Sequence, residues 1–158
     1  MVAAKRLFEG HLPLSGMPRL RPVLADAEGD CRFVLEFGVD PLGLRYVDVR
    51  AEAQLPLVCQ RSLERFLHPV RVEQRLGLVT DESQEAALPE GVEPLLLDAG
   101  GELDPASLVE DELILAVPVV PIDPASADLQ ATWPGDDEEE EKPNPFAALA
   151  ALKGQKKQ

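Results

Sequence analysis

The sequence has no lysine or arginine between residues 76 and 141, a stretch that contains 19 aspartates and glutamates. Residues 1–75 are nearly neutral, with 11 basic and 10 acidic side chains, and residues 142–158 contain four lysines and no acidic residue. An acidic segment repels phosphate and attracts cations, so only the N-terminal half or the tail could bind nucleic acid. The charge distribution therefore favours a basic protein partner over bare RNA.

Long apolar runs are also missing. The start of the chain lacks the continuous apolar segment of a signal peptide. The longest apolar run, residues 113–122, contains two prolines and is too short to span a bilayer. We therefore expect a cytoplasmic protein that does not bind membranes.

Aromatic residues make up only 4% of the chain, so we expect a core of leucine, valine and alanine around five phenylalanines. With 158 residues, the chain is long enough to bury such a core. We expect one domain rather than two.

The usual signatures of an enzyme are absent. The pair Gly100 and Gly101 is followed by Glu102 and Asp104, which would repel a phosphate group. The adjacent carboxylates at residues 110–112 would point about 100° apart on a helix, so they cannot form a catalytic pair on one face. The sequence predicts a protein that is not an enzyme.

Two cysteines and two histidines are the only soft metal ligands. A zinc site with four ligands would need Cys31, Cys59, His11 and His68 to converge. In the strand register derived below, Cys31 faces Ala53, roughly 20 Å from Cys59 unless the strand bends sharply. We expect two free buried thiols, no disulfide, no metal and no cofactor.

Alternating apolar and polar residues at 33–39 and 47–57 are typical of half-buried strands. Residues 40–43 (DPLG) favour a three-residue hairpin loop that sets Phe37 opposite Val47. A third strand is expected between residues 66 and 78, which completes an antiparallel meander with one solvated face.

Two further short strands are expected, one near residues 21–24 in an extended lead-in and one near residues 92–97. A helix is expected over residues 105–116, because Asp104 can cap its first amides, Pro105 suits its first turn and Pro118 cannot continue it. Apolar residues lie at helical spacing between these signals: Val109, Leu113, Ile114, Ala116 and Val117. The acidic residues 110–112 would lie on the solvated face of this helix.

The predicted fold class is α+β: an antiparallel sheet, open or curled toward a small barrel, with one covering helix and a short C-terminal helix. Residues 1–125 form the globular domain. Residues 126–142, with six consecutive acids, form an acidic flexible linker. Residues 143–158 form a basic amphipathic tail, whose short helix would need a partner surface.

Three blocks of the sequence carry a family resemblance: residues 59–62 (CQRS), residues 109–123 (VEDELILAVPVVPID) and residues 142–153 (KPNPFAALAALK). In this order they resemble the YceD family, the large ribosomal RNA subunit accumulation proteins. The resemblance implies a non-enzymatic ribosome-biogenesis factor that supports synthesis, processing or stability of large-subunit (23S) rRNA or its precursor. The alternative is an acidic escort for a basic large-subunit ribosomal protein, with rRNA levels following indirectly. Relatives often carry a second cysteine where this chain has Ser62, a poor metal ligand.

Direct contact with RNA is expected to use the basic face of the third strand, formed by Arg61, Arg65, Arg71 and Arg75. The alternative is an ordinary salt-bridged surface, because glutamates are interspersed among these arginines.

Two groups of residues are candidates for binding a protein partner. The first is the acidic triplet Glu110, Asp111 and Glu112. The second is the start of the tail, and its members are Pro143, Asn144, Pro145 and Phe146. The tail would act as a docking peptide on a tether or would fold back onto the sheet.

Overall fold

The computed structural model describes residues 6–98 and 100–126, which form an α+β fold. Five strands form one sheet in the order β1-β2-β3-β4-β5. Their bounds are β1 Arg6–Pro13, β2 Asp30–Val39, β3 Arg45–Val58, β4 Arg65–Val79 and β5 Glu93–Leu96. One helix, α1 (Pro105–Ala116), follows, and short 3-10 helices occupy Leu14–Gly16, Arg21–Val23, Glu82–Ala87 and Pro124–Ser126. The predicted tail and most of the predicted linker, residues 127–158, lie outside the described residues.

The β2–β3 hairpin has the predicted register. Phe37 pairs with Val47, Leu35 with Val49 and Phe33 with Ala51. The Asp40 carboxylate closes the loop by accepting the backbone N–H groups of Leu42 at 2.9 Å and Leu44 at 2.8 Å. Gly43 supplies the left-handed residue of the loop, with φ of 88°.

The N-terminal strand was not predicted. Residues 6–13 pair antiparallel with β2, whereas the predicted strand near residues 21–24 is a 3-10 helix that contains Pro22. Strand β1 lies at the edge of the sheet and is mostly exposed, so its sequence does not alternate clearly between apolar and polar residues.

The sheet is open, not closed into a barrel, since the order ends at β1 and β5. Strand β5 runs parallel to β4, a pairing that the predicted antiparallel meander did not include.

One face of the sheet packs against α1 and the segment 14–24, and we call it the core face. The predicted inward residues of β3 are all buried: Val47, Val49, Ala51, Ala53, Leu55 and Leu57. Helix α1 contributes Leu108, Val109 and Leu113, and the segment 14–24 contributes Leu14, Met17 and Leu20. The opposite face, the solvated face, carries the alternate polar residues of the strands.

Helix α1 has the predicted bounds. The Asp104 carboxylate caps it by accepting the N–H groups of Ala106 at 3.2 Å and Ser107 at 3.1 Å. Within the described part of the chain, no helix has the length and apolar character needed to cross a membrane.

Candidate functional site

Two of the three blocks that carry the family resemblance meet in the structure. The turn between β3 and β4 (residues 59–64) packs against the segment that follows α1 (residues 117–126), and we call this contact the Cys59 junction. The backbone N–H of Gln60 donates to the carbonyl oxygen of Pro121 at 2.8 Å. The turn closes on itself through the N–H of Leu63, which donates to the carbonyl oxygen of Cys59 at 2.8 Å.

The side chain of Cys59 is fully buried at the centre of this junction. Its Sγ accepts the backbone N–H groups of Arg61 and Ser62, each at 3.4 Å, and of Asp123 at 3.3 Å. The hydroxyl oxygen of Ser126 lies 3.4 Å from the same sulfur. The thiol therefore ties the turn to a segment more than 60 residues away in sequence.

Burial raises the pKa of Cys59, but hydrogen bonds with Ser126, Ser62 and Asp123 outweigh it and lower the pKa to about 6. Cys31, also buried, has its pKa raised to about 11 by burial, because a single backbone hydrogen bond opposes it. The pKa values of the two buried cysteines are therefore shifted in opposite directions, downward at Cys59 and upward at Cys31.

The four soft ligands do not converge. Cys31 pairs with Ala53 as predicted and lies on the core face, whereas His11 pairs with Arg32 on the solvated face. Ser62 occupies the turn position beside Cys59 and donates its backbone N–H to that sulfur. Among residues 6–98 and 100–126, no three histidine, cysteine, aspartate or glutamate side chains are grouped so that they could hold a metal ion.

Exposed apolar side chains occur in both segments of the junction and at the end of α1, and we call them the junction patch: Leu63, Leu115, Val119, Val120 and Ile122. Val119 is 99% exposed and Leu63 is 74% exposed. Leu63 also has a left-handed backbone, with φ of 60°, which is unfavourable for a leucine. Exposed apolar side chains on segments that contact each other are typical of a surface that binds another macromolecule.

The helical pattern predicts Glu110 on the solvated face of α1, but the structure buries it. It is only 5% exposed, and its Oε1 accepts the backbone N–H groups of Arg19 at 2.6 Å and Leu20 at 3.0 Å. Its other oxygen, Oε2, lies 3.3 Å from the Arg19 guanidinium. Glu110 therefore holds the segment 14–24 against α1 and is not available to a partner.

The other two acids of the triplet remain accessible. Asp111 is exposed and forms an ion pair with Arg19. Glu112 is partly buried, and its pKa is raised by burial and by repulsion from Glu93 and Asp111. No cation of the described residues forms an ion pair with Glu112, so a basic group of a partner would stabilise its charge.

The four arginines predicted to bind RNA, which we call the stripe arginines, have local partners. Arg65 pairs with Asp26 at 2.5 Å and with Glu28 at 3.3 Å. Arg71 pairs with Glu73 at 2.8 Å and with Glu52 at 3.7 Å. Arg75 pairs with Asp48 at 2.6 Å and lies 4.2 Å from the centre of the Tyr46 ring. Arg61 donates to the carbonyl oxygen of Ser126 at 3.2 Å in the Cys59 junction.

Across β1–β4, the solvated face has more negative than positive charge. The strand pairing places five arginines on it: Arg32, Arg50, Arg65, Arg71 and Arg75. Six carboxylates share this face: Glu9, Asp30, Glu36, Asp48, Glu52 and Glu73. A surface of alternating signs with a net charge near −1 does not attract phosphate, so the geometry favours the salt-bridged surface over the RNA site.

Sequence reasoning missed Arg19 and Ser126. Arg19 lies in a segment without periodicity, and its partner Glu110 is 91 residues away. Ser126 falls at the start of the predicted linker, where nothing indicated contact with Cys59. The predicted docking residues of the tail, at positions 143–146, lie outside the described residues.

Comparison with known proteins relates the chain to ribosome biogenesis. A family model described as "Large ribosomal RNA subunit accumulation protein YceD" matches residues 47–153. A protein of the same name from Haemophilus influenzae is 34% identical over 157 residues, which cover 96% of this chain and 90% of that relative. No solved structure matches the chain significantly. The matched residues include both parts of the Cys59 junction and extend to the end of the apolar pattern in the tail.

Proposed function

The chain belongs to the YceD family of large ribosomal RNA subunit accumulation proteins, and on this basis we propose that it supports synthesis, processing or stability of large-subunit (23S) rRNA without acting as an enzyme. We further propose that it does so by binding a basic protein of the large subunit at the Cys59 junction. The junction patch is the observation that carries this proposal.

The charge around the junction favours a basic partner. Asp123 lies within the junction, Glu64 ends its turn, and Glu112 lies one helical turn before Leu115 on α1. The sequence beyond Ser126 continues with seven acids and no base up to residue 141. An apolar surface surrounded by carboxylates suits a partner that presents apolar side chains among lysines and arginines, as ribosomal proteins do.

The pairing of the stripe arginines supports the escort form of this function, in which rRNA accumulates because its protein is delivered. A phosphate that bound Arg65, Arg71 or Arg75 would have to displace a carboxylate already in place. The tail residues Pro143, Asn144, Pro145 and Phe146 remain a proposed second docking element, joined to the junction by the acidic segment that follows Ser126.

Replacing Val119 and Val120 by aspartate (V119D/V120D) is expected to abolish large-subunit rRNA accumulation without destabilising the domain. Both side chains are exposed, so their replacement removes no core contact, whereas two added charges would oppose docking of an apolar surface. The measurement is the ratio of large-subunit to small-subunit rRNA in cells that lack the gene and express the variant, together with the Tm of the purified protein.

The matched control is Leu42→Asp, which alters another exposed apolar residue, at the β2–β3 loop. We expect L42D to restore rRNA accumulation and V119D/V120D to fail, with the two Tm values alike. Full restoration by V119D/V120D would show that the junction patch is not the docking surface.

A further inference from the structure

The core face of the sheet has an aromatic corner that α1 does not cover. Helix α1 packs mainly against β3 and β4, so the part of this face formed by β1 and β2 extends beyond it. Phe8 on β1 is 46% exposed, and Val39 at the end of β2 is 44% exposed. The rings of Phe8 and Phe37 pack edge to face, with 5.7 Å between their centres. We call Arg6, Phe8, Phe37, Val39 and Arg45 the aromatic corner.

Two arginines flank these apolar groups. Arg6 pairs with Phe37 across β1 and β2, and Arg45 pairs with Val39 across β2 and β3. Both are exposed, and neither forms an ion pair within the described ranges 6–98 and 100–126. They therefore differ from Arg65, Arg71 and Arg75, whose charges are already matched by carboxylates.

The composition of this face is also distinct. The strand pairing places no aspartate or glutamate on the core-face positions of β1, β2 and β3, and their only formal charges are those of Arg6 and Arg45. The solvated face of the same three strands has five carboxylates and two arginines. Along β1–β3, phosphate would therefore be attracted to the corner and not to the opposite face.

We propose that the aromatic corner binds single-stranded RNA, with one or two bases stacked on Phe8 and Phe37 and the adjoining phosphates held by Arg6 and Arg45. Aromatic rings on neighbouring strands offer unpaired bases a stacking surface, and arginines beside them hold the backbone. A purely apolar protein partner would leave the two arginines without a counter-charge. This inference rests on the proposed function only in assuming a role in rRNA accumulation, and it adds a direct contact with RNA on a surface separate from the junction.

The test is the affinity of the full-length protein for a fluorescent single-stranded oligouridylate of about ten nucleotides, measured by anisotropy over a range of salt concentrations. We expect Arg6→Gln/Arg45→Gln to weaken binding at least tenfold and to reduce the salt slope by about 1.4, since each phosphate contact contributes about 0.7. Phe8→Leu keeps an apolar side chain but removes the ring, and it is expected to weaken binding by roughly 5-fold or more.

The matched control is Arg71→Gln/Arg75→Gln, which removes the same charge from the solvated face and should leave the affinity unchanged. The junction variant V119D/V120D should also bind the oligonucleotide as the wild type does, so that a failure of the docking proposal is distinguishable from a failure of this one. The proposal is overturned if the wild type does not bind, if R6Q/R45Q binds as tightly as the wild type, or if R71Q/R75Q causes the larger loss.

Discussion

Replacing Glu110 by alanine is expected to destabilise the domain by about 3 kcal/mol, because the backbone N–H groups of Arg19 and Leu20 both lose their acceptor in a largely buried position. For a domain of this size, such a loss lowers the Tm by roughly 10 °C. The measurement is thermal and urea unfolding of the purified variant beside the wild type.

Two variants separate the buried contact from the charge. Asp111→Ala removes the other carboxylate that Arg19 contacts, but both groups are about half exposed, so we expect a change of no more than about 1 kcal/mol. Glu110→Gln keeps one side-chain oxygen as an acceptor and should fall between the two. Equal Tm values for E110A and D111A would contradict the role assigned to the buried carboxylate.

Loss of the Glu110 contacts is also expected to affect function. It joins α1 to the segment 14–24 on the core face, and α1 leads directly into the junction patch through Leu115 and Val119. The E110A variant is therefore expected to lose rRNA accumulation as well, whereas D111A is expected to retain it.

Elements with strong local signals were predictable from the sequence. The β2–β3 register follows from the DPLG loop together with alternation on both sides, and all three predicted apolar pairs occur. The bounds of α1 follow from Asp104, Pro105 and Pro118. In each case the residues that determine the register or the helix bounds are close in sequence, so the local pattern is enough to predict them.

Features that depend on distant contacts were not predictable. Only Gly10 and Leu12 of the edge strand β1 are partly buried, so its pairing with β2 left no clear periodic signal. Glu110 resembles its solvated neighbours on the helix until the backbone of residues 19 and 20 is placed beside it. The helical pattern shows which face of α1 is more polar. It does not show which carboxylate on that face accepts buried backbone N–H groups in place of water.

The candidate site was predicted only in part. The blocks at residues 59–62 and 109–123 were identified by resemblance, but their contact through Cys59 Sγ depends on how the chain returns after α1. Arg65, Arg71 and Arg75 lie on the solvated face as predicted, whereas Arg61 lies in the Cys59 junction. Their carboxylate partners on β3 and in the loop before β2 became apparent only with the strand pairing.

Replacing Cys59 by alanine is expected to lower the Tm far more than the same change at Cys31. Both thiols are buried and lose the same volume, so the cost of the cavity is matched. Only Cys59 accepts three backbone N–H groups, from Arg61, Ser62 and Asp123, and these would lose their acceptor in C59A. Cys59→Ser retains an acceptor and should recover part of the loss.

The loss in C59A is also expected to depend on pH, and the direction follows from the two pKa values of Cys59. The folded pKa is about 6 and the ordinary value is 9.0, so between these limits the unfolded chain binds more protons than the folded one. The thiolate therefore stabilises the wild type fully above the unfolded pKa, and this contribution is lost as the pH falls toward about 6.

The contribution of Cys31 to stability has the opposite pH dependence, because its folded pKa is raised to about 11. Its contribution is fully present below the unfolded pKa and is lost only as the pH rises above that value through the folded pKa of about 11. The measurement is urea unfolding of wild type, C59A and C31A at several pH values from about 6 to 9, in the presence of a reductant. The wild type should gain stability over C59A across this range, whereas its advantage over C31A should not increase. A difference between wild type and C59A that stays constant with pH would show that Cys59 is a neutral thiol in the folded protein.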